Sequence, residues 1–308
     1  MAYFIGIDGG GSKTECILGD EERIRGRMTA PSCKIQVVGK MAAQVVLQNV
    51  IKGTCAQAHL TPEKVNRICI GVAGYSRQGI AAALTAMVWE LAPIEVDVVG
   101  DNAIGMQAAF GDGPGVLVIA GTGSIAHGRD ERGRALRVGG WGPSISDEGS
   151  GNWIGRRAVQ EMMRAADRGQ LTALEQRIMD LWNVRRREDV SAIAEQKSLS
   201  EFAKLFPEVL AAARAGDMIA NDILNQAGVE LAALAHDVIR QLWAAPRPEG
   251  VPVAVVGGIF RNSDEVRFAF ERALRNRCPE IMPQREIIDP SIGALDLARK
   301  AAVRKIPA

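Results

Sequence analysis

The sequence predicts an α/β chain of two domains, for three reasons. Its 308 residues reach the length at which one hydrophobic core stops growing and chains divide. Short apolar runs of strand character alternate with helical spacing, the pattern of a sheet covered on its faces. A glycine-tipped motif at the start of the chain begins again behind Gly111-Asp112-Gly113-Pro114-Gly115, where glycines and prolines interrupt the pattern around them.

The first strand runs over 3–8 into Gly9-Gly10-Gly11-Ser12-Lys13, and 14–18 returns as a second strand, forming a hairpin with an open tip. Val45, Val46, Val50 and Ile51 fall at helical spacing within 41–58, and Pro62 ends that run. A buried strand over 68–72, a helix over 80–91 and a strand over 96–99 complete a βαβ alternation. Val116-Leu117-Val118-Ile119-Ala120 then opens the second half. Laid at an offset of 112 residues, 4–17 covers 116–129 and matches Gly9, Gly11 and Ser12 to Gly121, Gly123 and Ser124, the mark of a duplicated architecture. Long helical patterns continue to about 243, followed by a strand over 253–256 ending in Gly257-Gly258, a helix over 265–274 and a last helix over 291–303. The stretch 246–250 reads as a surface connection, and Arg185-Arg186-Arg187 beside Glu188-Asp189 as a solvated helix face. The expected domains are therefore 1–112 and a larger 113–290.

Composition narrows the functional classes. Hydrophobic residues make up 47% and charged residues 24%, as in a globular protein rather than a disordered or fibrous one. A net charge of +1 gives no global attraction to nucleic acid or to an anionic membrane, so an anionic ligand has to be held locally. The apolar runs are far shorter than the roughly 18 residues that span a bilayer. Met1 leads directly into a strand without the basic and small-residue features of a signal peptide, so a cytoplasmic protein is expected. The five cysteines, Cys16, Cys33, Cys55, Cys69 and Cys278, contain no C-x-x-C pair and fit reduced thiols.

A glycine tip behind a buried strand can hold phosphate, because missing side chains let backbone N–H groups converge on the oxygens. Gly10, Gly11, Ser12, Lys13 and Thr14 add two hydroxyls and a cation, and Gly121, Thr122, Gly123 and Ser124 form the matched copy. One copy alone is equally an ordinary glycine hairpin; two suit a nucleoside triphosphate. The spacing is not that of a Walker A loop, since a strand follows. Asp8 ends the first strand, where a carboxylate would repel phosphates unless a water-bound Mg²⁺ intervened; the alternative is an Asp capping its own turn. Asp101 ends another strand at a helix entrance, either a ligand-binding group or a helix N-cap. Gly139-Gly140-Trp141-Gly142, followed by Asp147-Glu148-Gly149-Ser150, puts an aromatic ring and carboxylates in one loop, the mixture a sugar needs; the alternative is a packed Trp beside a helix cap.

Ile7-Asp8-Gly9-Gly10-Gly11-Ser12-Lys13-Thr14, Gly100-Asp101, Ala120-Gly121-Thr122-Gly123-Ser124, Gly139-Gly140-Trp141-Gly142 with Ser146-Asp147-Glu148-Gly149-Ser150, and Gly257-Gly258-Ile259-Phe260 stand in the order found in N-acetylglucosamine kinases. More widely the chain resembles the BadF/BadG/BcrA/BcrD ATPase family within the actin, hexokinase and Hsp70 superfamily. The resemblance implies two ribonuclease-H-like α/β domains with a central interdomain cleft for ATP and sugar, the helix at about 291–308 completing the N-terminal domain, and a homodimer. It implies ATP-dependent phosphorylation of an amino sugar or hexose, N-acetylglucosamine or glucosamine first, with no nucleic-acid or membrane partner. Asp101 would be the general base. Asp147, Trp141, Gly142, Asn102 and Thr122 would meet the sugar, the two glycine tips the phosphates, Asp8 the Mg²⁺, and Gly257 and Gly258 the adenosine.

One departure stands out. Where these kinases place a sugar-contacting Asn, this chain has Lys34, or Cys33 if the loop is shifted by one residue. A Lys is charged and donor-only, which suits a substrate with an acidic group or a side chain pointing to solvent. Two other functions compete with the kinase. An ATPase that activates a redox partner through a bridging iron–sulfur cluster needs cysteines near the second hairpin, and there are none between Cys69 and Cys278. A non-catalytic sugar sensor would be expected to lack the base or a phosphate tip, and all are present.

Overall fold

Buried strand runs and amphipathic helices organise this chain twice over. The computed structural model describes residues 1–75, 77–243, 250–284 and 286–303. It divides into two compact units, one of Met1–Gly113 with the chain from Ile288 onward, the other of Pro114–Ile287. Most of the connection read at 246–250, and 304–308 of the last helix, lie outside the described residues.

The first unit holds β1 (Phe4–Gly9), β2 (Lys13–Gly19), β3 (Ile24–Pro31), α1 (Ile35–Val38), α2 (Lys40–Gln57), β4 (Arg67–Val72), α3 (Ile80–Trp89), β5 (Glu95–Val99) and α4 (Asp101–Phe110). Its sheet has the order β3-β2-β1-β4-β5, with β2 antiparallel to both neighbours and β4 and β5 parallel to β1. The central strands β1 and β4 are buried nearly throughout, as strands covered on both faces must be, whereas the edge strand β3 alternates toward solvent. Helices α2 and α3 supply Leu47, Val50, Ile51, Leu84 and Met87 to a core shared with Ile5, Ile7, Ile68 and Ile70.

The second unit holds β6 (Gly115–Ala120), β7 (Ser124–Arg129), β8 (Ala135–Gly139), α5 (Gly151–Asp167), α6 (Ala173–Trp182), α7 (Val190–Gln196), α8 (Phe206–Arg214), α9 (Met218–Leu242), β9 (Val251–Val256), α10 (Gly258–Asn262), α11 (Asp264–Arg277) and β10 (Ile281–Pro283). Its strand order, β8-β7-β6-β9-β10, repeats that of the first unit strand for strand and direction for direction. Val116, Val118 and Ala126 face Leu231, Ala235 and Val238 of α9 in its core. Two five-stranded sheets of one topology, among the described residues, are the paired ribonuclease-H-like fold that the sequence predicts. The chain ends with α12 (Pro290–Val303), back in the first unit.

The duplication is less regular than the ungapped offset suggests. Ala120 pairs with Ser124, but Asp8, its counterpart, pairs with Glu15 rather than with Ser12. The first strands and tips correspond; the second strands are out of register. Arg186 and Arg187 are solvated as expected, but at a short 3-10 turn instead of on a longer helix face, Arg186 bonded to Asp189 at 2.8 Å and Arg187 to Glu175 at 2.7 Å.

Helix α12 seats by backbone contact. A Cβ at Gly6 of β1 would fall 2.5 Å from the Ser291 carbonyl oxygen and closer still to the Leu295 amide, and one at Gly293 would fall on the α4 backbone at Ile104 and Ala108. Gly6→Ala is therefore expected to lower unfolding free energy by roughly 1–3 kcal/mol in urea titration. An unchanged midpoint would mean that α12 withdraws from β1 without cost.

Candidate active site

In the first unit the strand ends gather four loops. The hairpin tip leaves the amides of Gly10, Gly11 and Ser12 without an acceptor among the described residues, donors available to an anion. Thr14, expected to add a hydroxyl to this cradle, does not: it is buried, its Oγ1 donates to the Pro31 carbonyl at 2.9 Å and accepts the Cys33 N–H at 2.9 Å. It lies past the tip, paired with Gly9, and so faces the protein. Ser32 repeats the tie from the other side, donating to the Gly10 carbonyl at 2.8 Å. Lys13 forms an ion pair with Glu15 and is not a free phosphate ligand in this state.

Asp101 is the first residue of α4; the N-cap is Gly100, so the carboxylate is not the helix cap. Its Oδ1 accepts the Asn102 N–H at 3.0 Å. Burial pushes its pKa up, while that hydrogen bond and the charge of Lys34 oppose the rise. Lys34 is the N-cap of α1, half-buried, and Cys33 beside it is the residue that turns inward, its Sγ 3.2 Å from where a Gly9 Cβ would be. The loop alternatives thus divide: Cys33 backs the tip and Lys34 faces Asp101.

Asp8 is half-buried with Asp101, Asp289 and Glu15 nearby, and its pKa is pushed up to about 7, chiefly by burial, then by those carboxylates in that order, with Lys13 opposing. Asp289 was not anticipated. It precedes α12, accepts Ser291 Oγ at 2.6 Å and pairs with Arg27 at 2.7 Å. The Asp289-Pro290 dipeptide, an Asp before a proline at a helix start, is the sequence signal for that position but not for its nearness to Asp8. Among the described residues no three His, Cys, Asp or Glu side chains form a metal cage. One crowded carboxylate beside free amides does fit an ion that keeps most of its waters and arrives with phosphates, which is the habit of Mg²⁺.

In the second unit the tip is Gly121-Thr122-Gly123. The α5 N-terminus supports it, Gly151 N–H bonding to Gly121 O at 2.8 Å and Asn152 N–H to Thr122 O at 3.2 Å. Ser124 is buried and its hydroxyl donates to the Glu148 carbonyl at 2.7 Å, so this hydroxyl too is structural rather than free for phosphate. Asp147, in left-handed backbone at φ 70°, is buried; its carboxylate presses on Gly123, where a Cβ would lie 2.7 Å from Oδ2. Burial raises its pKa, and the Ser124 and Gly142 backbones lie close enough to oppose the rise. Ser150, not Asp147, caps α5, accepting the Trp153 N–H at 3.2 Å. Trp141 is 65% exposed, with the Arg137 guanidinium 4.1 Å above its ring, so it is not a packed core residue. Gly257, at φ 111°, passes so close to the Ala120 carbonyl that a side chain cannot fit, and Gly258 beside it is open.

The Asp8 shift has a signed consequence in the metal-free protein. Because the folded pKa of about 7 exceeds the ordinary 3.8, the folded state keeps a proton that the unfolded chain has released. Stability should fall as pH rises from about 4 to about 7, and Asp8→Asn should flatten that fall in urea midpoints taken across the window. An equal slope in both proteins would contradict the placement of Asp8.

The chain is similar to known proteins over nearly its whole length. Residues 5–298 match the BadF/BadG/BcrA/BcrD ATPase family. The N-acetylmuramic acid/N-acetylglucosamine kinase of Clostridium acetobutylicum is 32% identical over 97% of this chain and 99% of its own length. The N-acetyl-D-glucosamine kinase of Dictyostelium discoideum is 31% identical over 96% of this chain and 97% of its own. A solved structure from Chromobacterium violaceum, assigned as an N-acetylglucosamine kinase, superposes with a TM-score of 0.77 at 26% identity over 97% of this chain and 99% of that one. With the match running almost from end to end, this chain belongs to the BadF/BadG/BcrA/BcrD ATPase family.

Proposed function

We propose that the chain is an ATP-dependent sugar kinase acting on an amino sugar or hexose, N-acetylglucosamine or glucosamine first, with Asp101 as general base. The observation that carries the proposal is Asp101 itself: a half-buried carboxylate of raised pKa at a strand end, in the same unit as a glycine tip with three unpaired amides. A base works best when its pKa approaches the working pH, and burial moves Asp101 in that direction. The relatives named as kinases of N-acetylated sugars support the substrate class.

In this reading Asp101 takes the proton of the attacking sugar hydroxyl. The freed oxygen forms a bond to the γ-phosphorus while the bond to the bridging oxygen breaks, and ADP leaves with that electron pair. The amides of Gly10, Gly11 and Ser12, and those of Thr122 and Gly123, hold the phosphates, which places donors rather than mobile cations around the transferred charge. Mg²⁺ bound with the nucleotide neutralises phosphate charge, and Asp8 would hold it through water. Asp147 would accept from a sugar hydroxyl, since a carboxylate has about four lone-pair sites. Trp141 and Gly142 would give the sugar an apolar face, Asn102 and Thr122 polar contacts, and the open Gly258 with Gly257 a backbone approach to adenosine. A homodimer in the cytoplasm belongs to the same reading.

Asp101→Ala is expected to cut kcat for sugar-dependent ADP formation by roughly a hundredfold to ten-thousandfold while the Kd for a fluorescent ATP analogue changes little. Turnover near that of the wild type would remove Asp101 as the base.

A further inference from the structure

Three cations on the strands of the first unit have carboxylate partners. Lys13 has Glu15, Arg27 has Asp289, and Arg67 has Asp97 and Glu95. Lys34 is different: among the described residues its ammonium has no ion pair and no hydrogen bond, although it is half-buried. Its position is nonetheless fixed. The Lys34 N–H donates to Ser32 Oγ at 3.1 Å, Ser32 Oγ donates to the Gly10 carbonyl, and the flanking Cys33 N–H donates to Thr14 Oγ1. Two side chains thereby pin this loop to the glycine tip. The lysine also lies close enough to Asp101 for its charge to hold that carboxylate's proton affinity down. The loop after β4 stands on the same side: the Tyr75 ring is 3.1 Å from where a Gly100 Cβ would be, and Arg77, exposed, has no ion pair among the described residues.

A lone ammonium beside a general base is unfavourable for a neutral sugar. It offers only donors, it is partly desolvated with Asp101 beyond ion-pair distance as its counter-charge, and it weakens the base. An anionic substituent on the sugar reverses each effect by pairing with the ammonium and relieving its pull on Asp101. We propose that, among the amino sugars of the kinase reading, one bearing a carboxylate is used in preference to its neutral counterparts, and that Lys34 is the residue that selects it, with Arg77 a second cation on the rim. This rests on the kinase reading and names its substrate class.

The test compares kcat/KM for N-acetylmuramic acid, its neutral methyl ester and N-acetylglucosamine in the wild type, Lys34→Met and Lys34→Arg. The wild type should prefer the acid over both neutral sugars. Lys34→Met should lower the acid-to-neutral ratio by roughly tenfold to a hundredfold, mainly through KM, the scale of one charge-assisted contact. Lys34→Arg should retain the preference. An unchanged ratio in Lys34→Met, or an equal loss of kcat for all sugars, would overturn the proposal, the latter placing Lys34 on the phosphoryl group. If Lys34→Met does not fold, equal use of acid and methyl ester by the wild type still overturns it. ADP formation with neutral sugars but not with the acid defeats this inference alone; silence with every sugar defeats the kinase reading as well.

Discussion

Each glycine tip is held by buried hydroxyl side chains that bond across to a neighbouring loop. In the first unit Thr14 joins the hairpin to Pro31 and Cys33 while Ser32 bonds back to Gly10; in the second Ser124 joins it to Glu148, with the Asp147 carboxylate pressed against Gly123. A tip of glycines has no side chains to pack, and its conformational freedom would otherwise be large. Satisfying buried donors and acceptors across the tip fixes its shape, because an unmet buried polar group is costly. The amides at Gly10–Ser12 and at Thr122–Gly123 remain presented as a consequence. The second unit adds close backbone packing, with Gly257 against Ala120 and Gly123 against the Asp147 carboxylate.

This arrangement explains how a chain with a net charge of +1 can be suited to a highly anionic ligand. In the proposed reading the charge complement is local to each unit: backbone amides at its glycine tip, with a cation arriving with the phosphates. Asp8 is lifted well above the ordinary carboxylate range chiefly by burial, and the neighbouring carboxylates Asp101 and Asp289 add to the rise. Repulsion of this kind disfavours the empty site and favours one holding a positive ion. The two units share a topology and each fastens its tip with a buried hydroxyl, but Thr14 bonds to Pro31 and Cys33 whereas Ser124 bonds to Glu148, so the repeat preserves an arrangement of strands rather than a set of contacts.

Much of this could be read before any coordinates. Buried runs such as Val116–Ala120 and the glycine punctuation around them carry strand and turn signals that tertiary packing does not override. The place of Asp101 at a strand end followed from the same pattern. Other features had no local signal. Thr14 and Ser124 look like phosphate hydroxyls in a glycine-rich string, and only the register, in which each turns toward its own unit, commits them to Pro31 and Glu148. The three-residue slip between the second strands of the hairpins is likewise a matter of pairing, which identical tips do not reveal. Asp289 reaches Asp8 only because α12 returns to β1, a long-range contact that no window contains. Cys33 and Lys34, adjacent and interchangeable in the sequence reading, separate once the Ser32 and Thr14 bonds set the direction of each side chain.

The most direct test of the kinase account is ADP release from ATP and Mg²⁺ by the purified chain, measured with glucose, glucosamine, N-acetylglucosamine, N-acetylmannosamine and N-acetylmuramic acid against a blank without sugar. The account predicts release that depends on sugar, with one sugar far ahead and a phosphorylated sugar formed mole for mole with ADP. Hydrolysis at the same rate with and without sugar, or no release with any of them, would contradict it and return the chain to the partner-ATPase or sensor functions.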